Sequence, residues 1–339
     1  MWRTGFAILL TVATVLAAGW LALRRSDIPY DTLEFAYSLP QSEFVTLEGG
    51  LKVHYTDTGP RDHPGIILVH GFAASLHTWT AWRSALETDF RVVTVDLPGH
   101  GLSRAETPDS VTLDRFSDVV LELADTLELP SFTLAGSSMG GAVAWITALK
   151  APDRIDGLVL VGASGWASEG ANERRPLAFK LLDNPVIRVL VRDLDMSAMV
   201  EATLRDSYVD QTFVTEELVQ RYTALIRAPG HRMTLTQLFG GRPAVTAEAL
   251  SVLDMPTLIL WGREDNLVLV ENADKFKAAI PQAELVIYDA VGHLPHEEVA
   301  ADTLQEMREF MLSVELEALD ERFIESAGDP RLDAQRPTP

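Results

Sequence analysis

Short apolar runs alternate with amphipathic stretches from residue 44 to residue 166, and again from residue 248 to residue 316. Positions 66–69, 92–95, 132–135 and 158–161 read Ile-Ile-Leu-Val, Val-Val-Thr-Val, Phe-Thr-Leu-Ala and Leu-Val-Leu-Val. Runs of this length without a polar face predict strands buried on both sides of a parallel sheet. Between them the periodicity changes to that of helices, at about 79–86, 113–127 and 139–149. Upstream, 44–47 and 51–55 flank Gly49-Gly50 and predict a hairpin. Downstream, 257–261 and 284–288 predict two further strands, with helices at 272–279 and 296–316. Strand and helix in turn predict an α/β fold, a mostly parallel twisted sheet flanked by helices. From 167 to 247 the alternation stops, and helical stretches broken at Pro185, Pro229-Gly230 and Gly240-Gly241 predict a helical insertion. Residues 26–43, with Pro29 and Pro40, read as a linker, and the polar residues 317–339 as a flexible tail.

The first 25 residues are of another kind. No residue from Thr4 to Leu23 is charged, Arg3 and Arg24-Arg25 bound the run, and Trp2 and Trp20 sit near its ends. A helix of that length spans about 30 Å, the thickness of a bilayer's hydrocarbon core. The segment is therefore expected to be an N-terminal transmembrane helix that anchors the chain, with the catalytic domain outside the cytoplasm. The competing reading is an export signal cleaved near Ala17-Ala18-Gly19, which would release a soluble form.

A net charge of -21 removes nucleic acid from the expected partners, since affinity for a phosphate backbone comes from lysine and arginine. The absence of cysteine excludes disulfides and thiolate metal sites.

The chemistry lies at the ends of the expected strands. Gly136-Ser137-Ser138-Met139-Gly140 falls where an apolar strand gives way to a helix. A sharp turn there exposes the hydroxyl of Ser138, and the helix that begins at Met139 directs free backbone N–H groups to the same place. A serine hydroxyl needs a base to remove its proton, and the base needs a carboxylate to orient it. His293 follows the last expected strand and Asp265 the one before it, so a parallel sheet brings both loops to the edge where Ser138 sits. Asp289 is the rival acid. His63, His77 and His296 read as surface or loop positions, and His100, in Pro98-Gly99-His100-Gly101, as part of a structural turn. After the strand at 66–69 comes His70-Gly71-Phe72, where the backbone N–H of Phe72 is placed to form an oxyanion hole with that of Met139.

Together, His70-Gly71-Phe72, Asp96-Leu97-Pro98-Gly99-His100-Gly101, the Ser138 turn, Gly262-Arg263-Glu264-Asp265 and Gly292-His293 resemble the α/β-hydrolase superfamily across 44–316. Within it, Gly292-His293-Leu294-Pro295 resembles bacterial esterases and lipases similar to the meta-cleavage-product hydrolases. The resemblance implies a core of 44–166 and 248–316 under a helical cap of 167–247. It also implies an esterase that hydrolyses small-molecule carboxylic esters through an acyl-enzyme, with no cofactor and no metal. In the cap, Arg188 is a candidate to recognise a carboxylate. A carbon–carbon bond hydrolase, thioesterase or acyltransferase would use the same triad, and a non-enzymatic binding protein could share the scaffold. Phe72-Ala73-Ala74-Ser75 stands where the carbon–carbon hydrolases usually carry a glycine-rich loop.

Overall fold

The computed structural model describes residues 2–166, 184, 187, 192–238 and 244–327. Its eight strands form one sheet in the order β1-β2-β4-β3-β5-β6-β7-β8. They are β1 Ser42–Thr46, β2 Lys52–Thr58, β3 Gly65–Val69, β4 Arg91–Val95, β5 Phe132–Ser137, β6 Ile155–Val161, β7 Thr257–Gly262 and β8 Glu284–Tyr288. The hairpin β1–β2 and the β2–β4 pair are antiparallel, and every other neighbour is parallel.

Strands β3, β4, β5 and β7 are buried at every position, because helices cover both faces. Alternate residues serve the two sides. Ile67, Val93, Leu134, Leu158 and Ile259 pack under helices α4 (Leu113–Thr126) and α5 (Met139–Lys150). Ile66, Leu68, Val92, Val159 and Leu258 face Trp82 of α3 (Thr80–Leu86) and the side chains of Met307 and Phe310. The buried stripe of α4, namely Phe116, Val119, Val120 and Leu123, has helical spacing, and Thr112 caps it by accepting from the N–H of Arg115.

Two boundaries differ from the sequence reading. The segment 26–43 holds a two-turn helix, α2 (Tyr30–Tyr37), rather than an unstructured linker. Leu33 drives this, being buried against Leu102, Leu225 and Ala228, which contributes about 2 kcal/mol. The Arg104 guanidinium lies 3.6 Å from the centre of the Tyr30 ring and bonds to Glu34 at 2.7 Å. At the other end, the helix Ala300–Ala327 continues through the first part of the expected flexible tail, and 328–339 lie outside the described residues.

The expected transmembrane anchor finds no support. The backbone of α1 (Trp2–Leu23) is helical, but the side chains at 2–4, 7–9, 12, 13 and 16 lie outside those described. Among the described residues no helix is long and apolar enough to cross a membrane.

Between β6 and β7 the described residues form helices, α6 (Ser197–Ser207), α7 (Glu216–Leu225), α8 (His231–Leu238) and the short α9 (Ala247–Leu250). Val200, Leu204, Leu218, Ile226 and Leu235 form their common apolar cluster, against which Phe72 and Leu294 of the core pack. Arg188 and most of 167–191 lie outside the described residues.

Candidate active site

Strand β5 ends at Ser137, and the chain reverses into α5 through Ser138, whose φ of 55° and ψ of -116° are strained for a residue with a side chain. The neighbours of the turn leave no alternative to glycine. A Cβ on Gly136 would lie 2.1 Å from the Gly140 carbonyl oxygen, and one on Gly140 2.2 Å from that of Val69. Ser138 is held by backbone bonds on both sides: its N–H donates to Val161 O at 2.9 Å, and its carbonyl accepts from Ser164 N–H at 2.9 Å. Met139 opens α5, so its N–H belongs to the first turn, which has no intrahelical acceptor.

The structure brings Asp265 to His293. Nδ1 of His293 donates to Oδ2 of Asp265 at 2.7 Å, with both side chains buried. The other carboxylate oxygen of Asp265 accepts from the N–H groups of Leu267 and Val268, each at 2.8 Å, so the charge is compensated and the carboxylate cannot turn. Asp289 is instead exposed and paired with Arg263.

The loop that carries His293 is fastened by residues that sequence reasoning passed over. Val291 N–H donates to Glu264, Gly292 N–H to Glu298 at 2.7 Å, and His293 N–H to Ser207 O at 2.7 Å. Glu298 also accepts from Asp210 N–H at 2.5 Å. The helical insertion thus grips the main chain of His293 directly. No local signal could have revealed this, because Ser207 and Asp210 lie far from His293 in sequence.

Ser138, His293 and Phe72 line one cavity of about 180 Å³. Gly71 lies against the serine, a Cβ there falling 3.1 Å from that of Ser138. The insertion supplies the apolar walls, including Met196, Met199, Leu204 and Leu235. Arg192 and Arg232 also belong to the wall, and nothing in their local sequence singled them out.

Behind the loop after β3, the buried Asp96 accepts from Leu76 N–H at 2.7 Å and Leu102 N–H at 2.8 Å, and from Nδ1 of His54 at 2.6 Å. Burial alone would raise its pKa, but the charge and hydrogen bond of His54 hold the carboxyl well below the usual range. Asp96 is thereby a fixed anion tying the Phe72 loop to the turn at 98–101. His100 is buried in that turn, and burial pushes its pKa well down. His296, expected near the surface, is fully buried, packed against Trp79 with the rings tilted by 34°, and bonded to Thr78. Burial, then the charge of His293, lowers its pKa to about 3. The helix turn Pro295–Glu298 packs against α3 and β7, which single-sequence periodicity over four residues cannot reveal.

A β-sheet of this order, with a strained serine between β5 and α5, agrees with the comparison to known proteins: the profile of the alpha/beta hydrolase fold family matches residues 64–300. The chain belongs to that family. Among similar alpha/beta hydrolases, the 2-hydroxy-6-oxononadienedioate/2-hydroxy-6-oxononatrienedioate hydrolase of Paraburkholderia phymatum is 27% identical over 294 residues, 83% of this chain and 99% of that protein. The pimeloyl-[acyl-carrier protein] methyl ester esterase of Nitrosomonas europaea is 28% identical over 258 residues, 72% of this chain and 93% of that protein. The solved structure of a thermophilic esterase from Thermogutta terrifontis superposes with a TM-score of 0.68 at 28% identity, over 81% of this chain and 99% of that one.

Proposed function

We propose that this alpha/beta hydrolase cleaves uncharged carboxylic esters of short to medium acyl length through an acyl-enzyme on Ser138. One observation carries the reading: the strained serine and His293, which is backed by Asp265, open on the same cavity, whose walls are largely apolar. With Nδ1 bound to Asp265, His293 keeps Nε2 for the serine proton. Ser138 Oγ attacks the ester carbonyl carbon as that proton moves to Nε2, and the tetrahedral oxyanion is met by the backbone N–H groups of Phe72 and Met139. Collapse expels the alcohol, which takes the proton from His293. Water then attacks the acyl-enzyme by the same route in reverse, releasing the acid. Each oxyanion donor contributes about 3 kcal/mol in the transition state.

Asp265→Asn is expected to lower turnover by about 10⁴, the effect of losing the orienting carboxylate in a serine triad. Asp289→Asn leaves turnover within about twofold, as befits an exposed ion pair. Steady-state kinetics on one p-nitrophenyl ester checks both, and the reverse ranking would reassign the acid.

The esterase relatives favour ester hydrolysis, and the dienedioate hydrolases a carbon–carbon reading of the same triad. The charge around the cavity supports the former. Arg192 pairs with Asp193 at 3.1 Å and Arg232 with Asp27 at 2.5 Å, so neither cation is uncommitted for a dianionic substrate. Neutral p-nitrophenyl butyrate to octanoate are therefore hydrolysed, and a meta-cleavage dienoate is a poor substrate. A specificity constant for the dienoate above that of every ester would move the chain to the carbon–carbon class.

The helical segment 167–247 acts in this reading as a cap over the core of 44–166 and 248–316. Attachment to a membrane through 4–23 is supported by the sequence alone, and retention of the full-length chain in carbonate-washed membranes tests it.

A further inference from the structure

Of the two arginines on the cavity wall, Arg232 is the more confined, with a side chain only 9% exposed. Its guanidinium is bound by groups that do not line the cavity: Nη1 donates to Arg25 O at 2.9 Å and Nη2 to Asp27 Oδ1 at 2.5 Å. Both partners lie in the short segment between α1 and α2. That segment is fastened to the helical insertion on two sides. Arg25 N–H donates to Asp193 O at 2.8 Å, Asp195 N–H to Leu23 O at 2.9 Å and Ile28 N–H to Arg227 O at 2.8 Å. Arg227 in turn donates to Ser26 O at 2.8 Å. The N-terminal arm is thus built into the outer wall of the cavity.

A guanidinium is a cation with five N–H donors, and an apolar cavity does little to weaken its attraction for an anion. What the cavity accepts then depends on where that guanidinium is held. We infer that Asp27, from the N-terminal arm, is a specificity-determining residue: by holding the Arg232 guanidinium away from the cavity, it makes the enzyme select acyl tails with uncharged ends over tails ending in a carboxylate. The inference rests on the ester-hydrolase reading above. Among the described residues the other acid within 4 Å of Arg232 is Asp193, at 3.9 Å, and it is already paired with Arg192 at 3.1 Å and Arg24 at 3.6 Å. In the absence of Asp27 the guanidinium is released to turn toward a ligand carboxylate, or is recaptured by Asp193.

The experiment compares two p-nitrophenyl esters of matched length on the full-length chain: the octanoate, and the mono-ester of the eight-carbon dicarboxylic acid. The readout is the ratio of their kcat/KM values, which is independent of the active fraction in a preparation and so unaffected by partial misfolding. The unmodified enzyme prefers the octanoate. Asp27→Asn, or Asp27→Asn with Asp193→Asn where Asp193 recaptures the arginine, shifts the ratio toward the carboxylate ester by about tenfold, the scale of one partly buried charge pair. Adding Arg232→Gln to the double variant returns the ratio to that of the unmodified enzyme. A ratio unmoved in both the single and the double variant overturns the inference. So does a shift that survives Arg232→Gln, since it would then come from the overall change in charge. Failure of the unmodified chain to hydrolyse either ester would instead overturn the ester-hydrolase reading itself.

Discussion

Ser138→Ala abolishes p-nitrophenyl ester turnover, with a loss of about 10⁶ in kcat, and ends covalent labelling by a fluorophosphonate probe. The effect is this large because, in the proposed mechanism, the serine, the histidine and the carboxylate act as one unit, and without the hydroxyl no acyl-enzyme forms. What survives is the contribution of the oxyanion donors and of binding, about 10³ to 10⁴ over water. Folding is little affected. The side chain is half-buried at the cavity wall, the strained φ of 55° is carried by the backbone whichever side chain is present, and the bonds to Val161 and Ser164 are backbone bonds. The variant should therefore unfold in urea at the midpoint of the unmodified chain while showing no nitrophenol burst. A burst stoichiometric with enzyme in Ser138→Ala would remove Ser138 from the mechanism.

The second large effect is on stability in acid. Burial is the leading cause of a lowered pKa in His70, His77, His100, His231 and His296. The values are about 4 for His77, where the charge of Arg221 adds to burial, and about 4 for His231. Below about pH 6.5 the unfolded chain takes up protons at these positions that the folded chain refuses. Stability is whole above that pH and is lost as pH falls toward 4, by about 3 kcal/mol for each of His77 and His231. Glu297 acts in the opposite sense. Burial raises its pKa and that of Glu306, so their contribution is greatest in acid and declines as pH rises, but they are two groups against five. The urea midpoint is expected to fall far more between pH 6.5 and 4.5 than between pH 8.5 and 6.5. A midpoint that is level or rising between 6.5 and 4.5 would mean that these histidines are not buried neutral in the folded protein.

These two effects differ in how far they can be read from the chain alone. Ser138 stands out because a strand-to-helix turn with glycine on both sides is a local pattern, and local patterns are written in adjacent residues. The five histidines do not stand out, since burial depends on what the remainder of the chain lays over them. His296 illustrates the difference: its neighbours in sequence are Pro295 and Glu297, typical of a surface turn, yet Trp79, just before α3, and Trp82 within it enclose it.

The sequence by itself determined the alternation of strand and helix, the parallel sheet and its antiparallel hairpin, and the position of each loop that reaches the sheet's C-terminal edge. It did so because hydrophobic period and turn chemistry act over a few residues. It also pointed to Asp265 as the acid, with Asp289 as its rival, two positions near successive strand ends. Only the tertiary structure shows which of the two meets the histidine: Asp265 lies against His293 with its second oxygen occupied, and Asp289 is turned to solvent beside Arg263. In the same way it showed that the arm before β1 is a helix tied to the insertion through Leu33, Asp27 and Arg232, and that Ser207 holds the main chain of His293. These contacts join residues far apart in the chain. Each is favoured only once the sheet has brought its partners together, so no stretch of sequence carries a local sign of it.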